Sequence, residues 1–186
     1  MSGEATGGRA PRPLSWPDAA RRRAWLRFLM IFYLWFFPAY FGAAALAQAS
    51  GRAHELFMAW ELAIPLLPWA IIPYVGVIPL YAAPAFQMQA RDIARLSRQT
   101  TAATLLAFAV FVLAPTRVAY RPEALPEPWA TAFAYGALPT PYNAAPSLHV
   151  AFAALILGAC ADSAGRAPRV FYAVAFMLVA ASTVLT

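Results

Sequence analysis

The chain has 186 residues, enough for one domain, and its composition departs from that of a soluble domain. Hydrophobic residues make up 62% of it and charged residues 12%, whereas soluble domains average about 45–50% and about 25%. This shortage of charge excludes a disordered chain and argues against a soluble enzyme. The net charge is +6, but the arginines lie between apolar runs, which argues against nucleic-acid binding. A single cysteine, Cys160, excludes an internal disulfide and a cysteine-based zinc site.

The first apolar run follows a cluster of arginines. Residues 1–24 are expected to form a cytoplasmic N-terminal tail, partly disordered. Ser15 is predicted to cap the first helix, with Pro17 and Asp18 in its first turn. A secretory signal cleaved after Ala47-Gln48-Ala49 is the alternative, but the run exceeds the roughly 7–15 residues of a signal core. A retained transmembrane helix is therefore favoured.

Four more apolar runs predict an all-α, polytopic membrane helix bundle with five spans. The later spans are predicted at about 61–86, 100–114, 147–161 and 170–186. Five prolines in the second span predict a kinked or interrupted helix there. Residues 25–186 thus form one predicted membrane-embedded domain, without internal repeats and without a strand pattern.

The fourteen arginines predict how the bundle is oriented. With the N-terminus in the cytoplasm, eleven of them lie on the cytoplasmic side, which follows the positive-inside rule. The other three are Arg52, Arg117 and Arg121. The long proline-rich connection at residues 115–146 then lies at the outer face of the plasma or inner membrane, and ordered loops of this length are usually functional.

The segment Pro141–Val150 joins this outer connection to the fourth span and carries most of the chemically active residues. Pro146 suits the first turn of a helix, whose free N–H groups and positive dipole end attract anions. Ser147 adds a hydroxyl donor, and Asn143 caps the helix or donates a hydrogen bond. His149 is a candidate proton donor, because histidine titrates near neutral pH.

Arg117 and Arg121 supply the positive charge that phosphate oxygens prefer. Each candidate also has a structural alternative: Ser147 as a simple cap, His149 as an interfacial histidine bonded to a carbonyl, and the arginines as headgroup anchors. Ser147 and His149 lie two positions apart, and that spacing does not share a helix face. Both line one pocket only if Ser147 acts at the helix mouth.

Four other reactive side chains are assigned structural or surface roles rather than chemical ones. Cys160 is expected to pack inside its span. His54 and Glu55 are expected to be solvated on a short outer connection, and Glu61 to lie at the membrane interface, with a contact to the site as its alternative.

The sequence Pro146-Ser147-Leu148-His149, which enters a membrane helix from an outer loop, resembles the second signature of the type 2 phosphatidic acid phosphatase superfamily. The proline-rich stretch Ile64–Trp69, followed by Ile72–Tyr74, resembles the second span of the branch that includes inositol phosphorylceramide synthases. Tyr142-Asn143 resembles that branch as well. The resemblance covers about residues 25–186.

The resemblance implies a phosphatase or phosphotransferase that acts through a phosphohistidine at the outer membrane face. Its partner would be a phosphorylated membrane lipid, such as a phosphatidate, a prenyl diphosphate or a sphingolipid. On matching positions His149 is the general acid and Ser147 a phosphate donor. The phosphate-binding set is completed by Arg117, Arg121 and Asn143. No metal and no other cofactor is implied.

Two signatures depart from the family pattern. Arg121-Pro122 matches the end of the first, but Ala114 stands where its lysine belongs, and Arg117 is the candidate substitute. Ser182-Thr183 resembles the opening of the third, whose nucleophilic histidine would follow Thr186. The chain as given is therefore expected to lack the nucleophile and the last of six family spans. Two alternatives stay open: a non-catalytic phospholipid-binding relative, and a small membrane transporter or structural subunit, whose site the broken second span would line.

Overall fold

The computed structural model describes residues 12–55, 67–118 and 140–185, and this part of the chain is mainly helical. Its helices are α1 (Ala19–Ser50), α2 (Ile71–Leu80), α3 (Ala83–Gln87), α4 (Ala90–Leu113), α5 (Leu148–Ser163) and α6 (Arg166–Leu185). A 3-10 helix at Pro68–Ala70 precedes α2. The strands β1 (His54–Glu55) and β2 (Thr116–Arg117) form a parallel ribbon. The ribbon corrects the strand-free prediction; strands of two residues are too short to show alternation.

The first helix begins at Ala19, because Asp18 caps it and not Ser15. The Asp18 carboxylate accepts a hydrogen bond from the Arg21 amide at 2.8 Å, and the Arg21 guanidinium lies 3.2 Å from it. The amide hydrogen bond, with the guanidinium beside it, lowers the pKa of Asp18. Ser15 instead accepts a hydrogen bond from that guanidinium at 3.0 Å. The helix therefore starts inside the segment 1–24, of which residues 1–11 lie outside the described chain.

The later helices overlap the predicted spans but end elsewhere. α4 begins at Ala90 rather than near residue 100, and α6 begins at Arg166 rather than near residue 170. The second span is interrupted as predicted, within its described residues. α2 ends at Leu80, since Pro84 has no N–H to donate to the Leu80 carbonyl.

Within the described residues, two helices are long and apolar enough to cross a membrane by length and composition. These are α1 with 32 residues and α4 with 24. α2 and α5 are apolar but shorter, with 10 and 16 residues. A span needs about 20 helical residues. By these criteria the helices support two spans and not the five predicted from the sequence.

The helices α1 and α4 pack against each other and run parallel. Near their starts, the Ser15 amide donates to the Phe86 carbonyl at 3.1 Å. Just beyond their ends, the His54 amide donates to the Pro115 carbonyl at 2.8 Å. Two helices whose starts meet and whose ends meet must point the same way.

α5 runs in the opposite direction. Its first turn follows Ala145, whose amide donates to Thr116 Oγ1 at 2.9 Å beside β2. At its last residue, the Ser163 carbonyl accepts a hydrogen bond from the Arg12 amide at 3.0 Å. The bundle therefore has two distinct ends. The ribbon end holds β1, β2 and the start of α5, and the arginine end holds the starts of α1, α4 and α6.

The core lies between α1, α4 and α5, with α6 packed on α5. The rings of Phe32 and Phe152 join α1 to α5, edge to face, with centroids 4.8 Å apart. The buried Thr100 and Thr104 hydroxyls donate to carbonyls of α4 itself. Large apolar side chains also cover the outer surface, among them Met30, Leu34, Leu106, Leu113 and Met177. An exterior this apolar is typical of a lipid-facing surface.

Replacing a core residue is expected to destabilise the bundle far more than replacing an outer one. Ile156 is fully buried, so Ile156→Ala leaves a cavity and should cost about 2–5 kcal/mol. Leu106 is 69% exposed, so Leu106→Ala removes few contacts and should change stability by about 0.5 kcal/mol or less. Thermal unfolding of both variants in the same detergent measures the difference. Equal effects would contradict the assignment of the core.

Candidate functional site

The ribbon end joins two of the sequence segments that carry predicted phosphate ligands. The segment that leads into α5 lies antiparallel beside β2, with a bridge between Arg117 and Tyr142. The Asn143 amide donates to the Thr116 carbonyl at 2.9 Å. Arg117 is therefore tied by backbone pairing to the stretch that ends in Ser147 and His149.

Thr116 fixes the turn that precedes α5. Its side chain is buried, and its hydroxyl oxygen accepts the Ala145 amide at 2.9 Å. The same hydroxyl donates to the Ala145 carbonyl at 3.2 Å. The peptide bond between Ala145 and Pro146 is cis. The Thr116 hydroxyl thus forms hydrogen bonds with both the N–H and the C=O of Ala145.

Asn143 anchors the same segment to α1. Its φ of 63° lies in the left-handed region, which asparagine tolerates better than most residues. Nδ2 donates to the Tyr40 carbonyl at 2.6 Å. Oδ1 is buried and has no hydrogen-bond partner within the described residues. One side-chain N–H of Asn143, a predicted phosphate ligand, is therefore used in a structural contact. Its buried Oδ1 is a hydrogen-bond acceptor, so it suits a donor group and not an anion.

Ser147 is the N-cap of α5. Its hydroxyl oxygen accepts a hydrogen bond from the Val150 amide at 3.3 Å. The structural alternative for this residue, a simple cap, is therefore present in the structure. Among the described residues the hydroxyl is recorded only as an acceptor, so its proton can serve a ligand, and the first amides of α5 face the ribbon end. Ser147 can cap the helix and donate at its mouth at the same time.

His149 is the second residue of α5 and contacts α2. Its ring stacks on the Tyr74 ring, with centroids 3.9 Å apart and planes 5° from parallel. Nε2 lies 2.5 Å from the Tyr74 carbonyl oxygen. A carbonyl only accepts, so this geometry assigns a proton to Nε2, and when the ring is neutral Nδ1 is its acceptor. In the structure His149 is thus bonded to a carbonyl, which was the structural alternative for this residue. To act as an acid, the ring must either release the Tyr74 carbonyl from Nε2–H or carry a proton on Nδ1.

Glu55 is not merely solvated, as the sequence suggested. Its Oε1 lies 2.7 Å from Arg117 Nη2, and both side chains are partly exposed. The register of the ribbon pairs the two residues directly, and it pairs His54 with Thr116. His54 is exposed, as expected for a solvated residue, but it lies in a strand beside β2. No local pattern predicts this ion pair, since it joins residues far apart in the sequence.

The remaining candidates divide into two groups. Arg121 and Glu61 lie outside the described residues. Cys160 is fully buried in the core, in line with its predicted packing role. Ser182 is buried near the end of α6, where its hydroxyl donates to the Val179 carbonyl at 2.7 Å. Across the described ranges, no group of three or more His, Cys, Asp or Glu residues is placed to hold a metal ion.

Comparisons of the chain with protein-family models, with curated proteins and with solved structures find no match. The resemblance of the Pro146–His149 segment to a family signature therefore stays a prediction. What can be inferred about function comes from the geometry of the ribbon end.

Removing the Thr116 hydroxyl should loosen the turn that positions Ser147 and His149. Thr116→Val keeps the shape but leaves the Ala145 amide and carbonyl without their partner, at a cost of about 1–3 kcal/mol. Thr116→Ser keeps the hydroxyl and serves as the matched control. Thermal unfolding should show a lower midpoint for the valine variant than for the serine variant. The opposite order would mean that the hydroxyl does not hold the turn.

Proposed function

We propose that the chain is an integral membrane protein that binds the phosphate group of a membrane lipid at the ribbon end. We further propose that it is a lipid-phosphate phosphatase or phosphotransferase of the type 2 phosphatidic acid phosphatase kind. The observation that supports this is the pairing of Arg117 with the segment that leads into α5. It places Arg117 beside the segment that leads to Ser147 and His149.

Three kinds of donor favour a phosphate group at this end. The Arg117 guanidinium offers charge and paired N–H groups. The first amides of α5 carry the positive end of the helix dipole, and Ser147 Oγ adds a neutral donor. Phosphate oxygens accept from all three. In the family-like reaction, a nucleophilic histidine would bond to phosphorus as the bond to the leaving oxygen breaks, and His149 would give its Nε2 proton to that oxygen, after Nε2–H exchanges the Tyr74 carbonyl for substrate.

Glu55 competes with a phosphate ligand for Arg117. Its carboxylate accepts from the guanidinium in the structure, so a bound phosphate must displace it or share the arginine. A carboxylate this close also repels a phosphate oxygen. Glu55 should therefore lower the affinity of the site for anions. The proposal thus predicts opposite changes in anion affinity when the charge of Glu55 and the charge of Arg117 are removed.

Vanadate binding to the purified protein in an uncharged detergent tests the phosphate site. Arg117→Ala should weaken binding about tenfold or more, because a charge-assisted hydrogen bond contributes about 1.5–3 kcal/mol. Glu55→Gln should strengthen it, because the competing charge is removed and the size is kept. Arg52→Ala changes an exposed arginine on the same connection and serves as the control. Unchanged binding in Arg117→Ala and in Arg121→Ala would exclude these arginines from the site.

Release of phosphate from phosphatidate tests whether the chain as given carries a nucleophile. Because it is expected to lack one, it should bind vanadate without releasing phosphate, as a non-catalytic phospholipid-binding relative would. Release that is lost in His149→Ala, while vanadate binding largely persists, would show instead that the chain itself is the enzyme. Loss of release in His54→Ala as well would identify the other histidine of the chain as the nucleophile.

The proposed orientation puts the N-terminus in the cytoplasm and the ribbon end outside. It rests on the arginines near the starts of α1, α4 and α6, which share the arginine end. Alkaline phosphatase fused after Pro128 should be active outside the cell, and the same enzyme fused after Arg166 should be inactive. The reverse pattern would move the phosphate site to the cytoplasmic face.

A further inference from the structure

The arginine end carries a group of exposed arginines that the phosphate site does not use. They come from α1, α4 and the first turn of α6. The group, here called the arginine patch, consists of Arg22, Arg23, Arg27, Arg91, Arg95, Arg98, Arg166 and Arg169. Three acids accompany it in the described part of this end, namely Asp18, Asp92 and Asp162. Positive charge at this end therefore greatly exceeds the negative charge.

Helix dipoles at this end favour an anion near the patch. Three helices, α1, α4 and α6, start at this end and point their positive dipole ends at it, whereas only α5 among the long helices ends there. The last turn of α5 is already engaged by Arg169, whose Nε donates to the Ala161 carbonyl at 3.1 Å, and anions near a helix start are stabilising. Asp18 is already paired with Arg21, and Asp92 lies within 4.0 Å of Arg91. Internal acids thus do not balance the patch, and an anionic partner would.

A second observation concerns the chain that precedes α1. It is fixed across the arginine end by three hydrogen bonds, of which the Gln87 side chain makes one, from Nε2 to the Arg12 carbonyl at 2.6 Å. In this fixed segment Leu14 is 59% exposed and Trp16 is 85% exposed. The Trp16 ring also contacts Phe86, with centroids 5.5 Å apart. An ordered segment therefore displays two large apolar side chains beside the arginine patch.

Apolar and aromatic side chains next to clustered arginines are suited to the headgroup layer of a membrane. Tryptophan is enriched at that depth, where one part of the ring is in contact with acyl chains and the indole N–H with polar groups. Arginine binds phosphate oxygens of anionic lipids, and each basic residue near the surface contributes to that attraction. A nucleic acid would use the arginines but would gain nothing from the exposed Leu14.

We propose that the arginine end binds the phosphodiester headgroups of anionic phospholipids in the surrounding leaflet, with the arginine patch contacting the phosphates. Leu14 and Trp16 lie in the headgroup layer beside them. This binding surface is separate from the phosphate site at the ribbon end and does not depend on the activity proposed for it. It depends on insertion of α1 and α4 into a bilayer, which these helices permit by length and composition.

The test uses the whole protein in an uncharged maltoside detergent, with fluorescent short-chain phosphatidylglycerol as the probe. Phosphatidylglycerol should bind more tightly than phosphatidylcholine, and its affinity should fall with added salt. Replacing Arg91, Arg95 and Arg98 together by Gln should weaken binding about tenfold or more. Trp16→Ala alone should also weaken phosphatidylglycerol binding, whereas Trp35→Ala, in the middle of α1, should leave it unchanged.

Two controls separate this surface from other causes. Arg52→Gln removes an exposed charge from the ribbon end and should not change phosphatidylglycerol binding, and an excess of inorganic vanadate, which occupies the proposed phosphate site, should not displace the lipid from the arginine end. Equal loss in Arg52→Gln would show that only net charge matters and would overturn the proposal. Equal affinity for the two lipids, or full affinity in a folded triple variant, would overturn it as well. Competition by inorganic phosphate at equal concentration would assign the surface to free anions instead of lipids.

Discussion

The structure depends on satisfying the backbone polar groups where the chain turns at the ribbon end. Helices satisfy their own amides and carbonyls, but the chain between them does not, and in apolar surroundings each unpaired group is costly. Three devices meet this need: the ribbon, the Thr116 hydroxyl and the Asn143 side chain. They tie the ends of α1 and α4 to the start of α5. The mutual placement of Arg117 and Ser147 follows from that closure.

Much of the helical framework could be predicted from the sequence. Long apolar runs gave the approximate positions of α1, α5 and α6, and the prolines gave the interruption of the second span. The helix ends were harder to predict, because they depend on capping contacts. Ser15 and Asp18 are both acceptable caps by residue type, and only the geometry of Arg21 selects Asp18. The sequence predicted that this span begins near residue 100 and not at Ala90, because the arginines at the start of α4 lower the local hydropathy. The apolar face of that start, with the buried Ile93 and Leu96, was therefore missed.

The candidate site was predicted less completely, because its contacts are long-range. A cap role for Ser147 and a carbonyl partner for His149 were among the alternatives that the sequence left open, and only the cap is a local contact. The pairings of Glu55 with Arg117 and of His149 with Tyr74 join separate elements, and residue spacing carries no signal for them. Asn143 shows the same limit: the sequence suggested a cap or a ligand, but the fold uses it to grip the Tyr40 carbonyl.

The parallel packing of α1 on α4 bears on the order of events during synthesis. A helix that pairs with its immediate successor can form a hairpin as soon as that successor leaves the ribosome. α1 instead packs most extensively on a helix that emerges after α2 and α3 have returned the chain to the arginine end. In a membrane, α1 must therefore wait in lipid without its main partner. Its 32 residues and its apolar surface suit it to that interval.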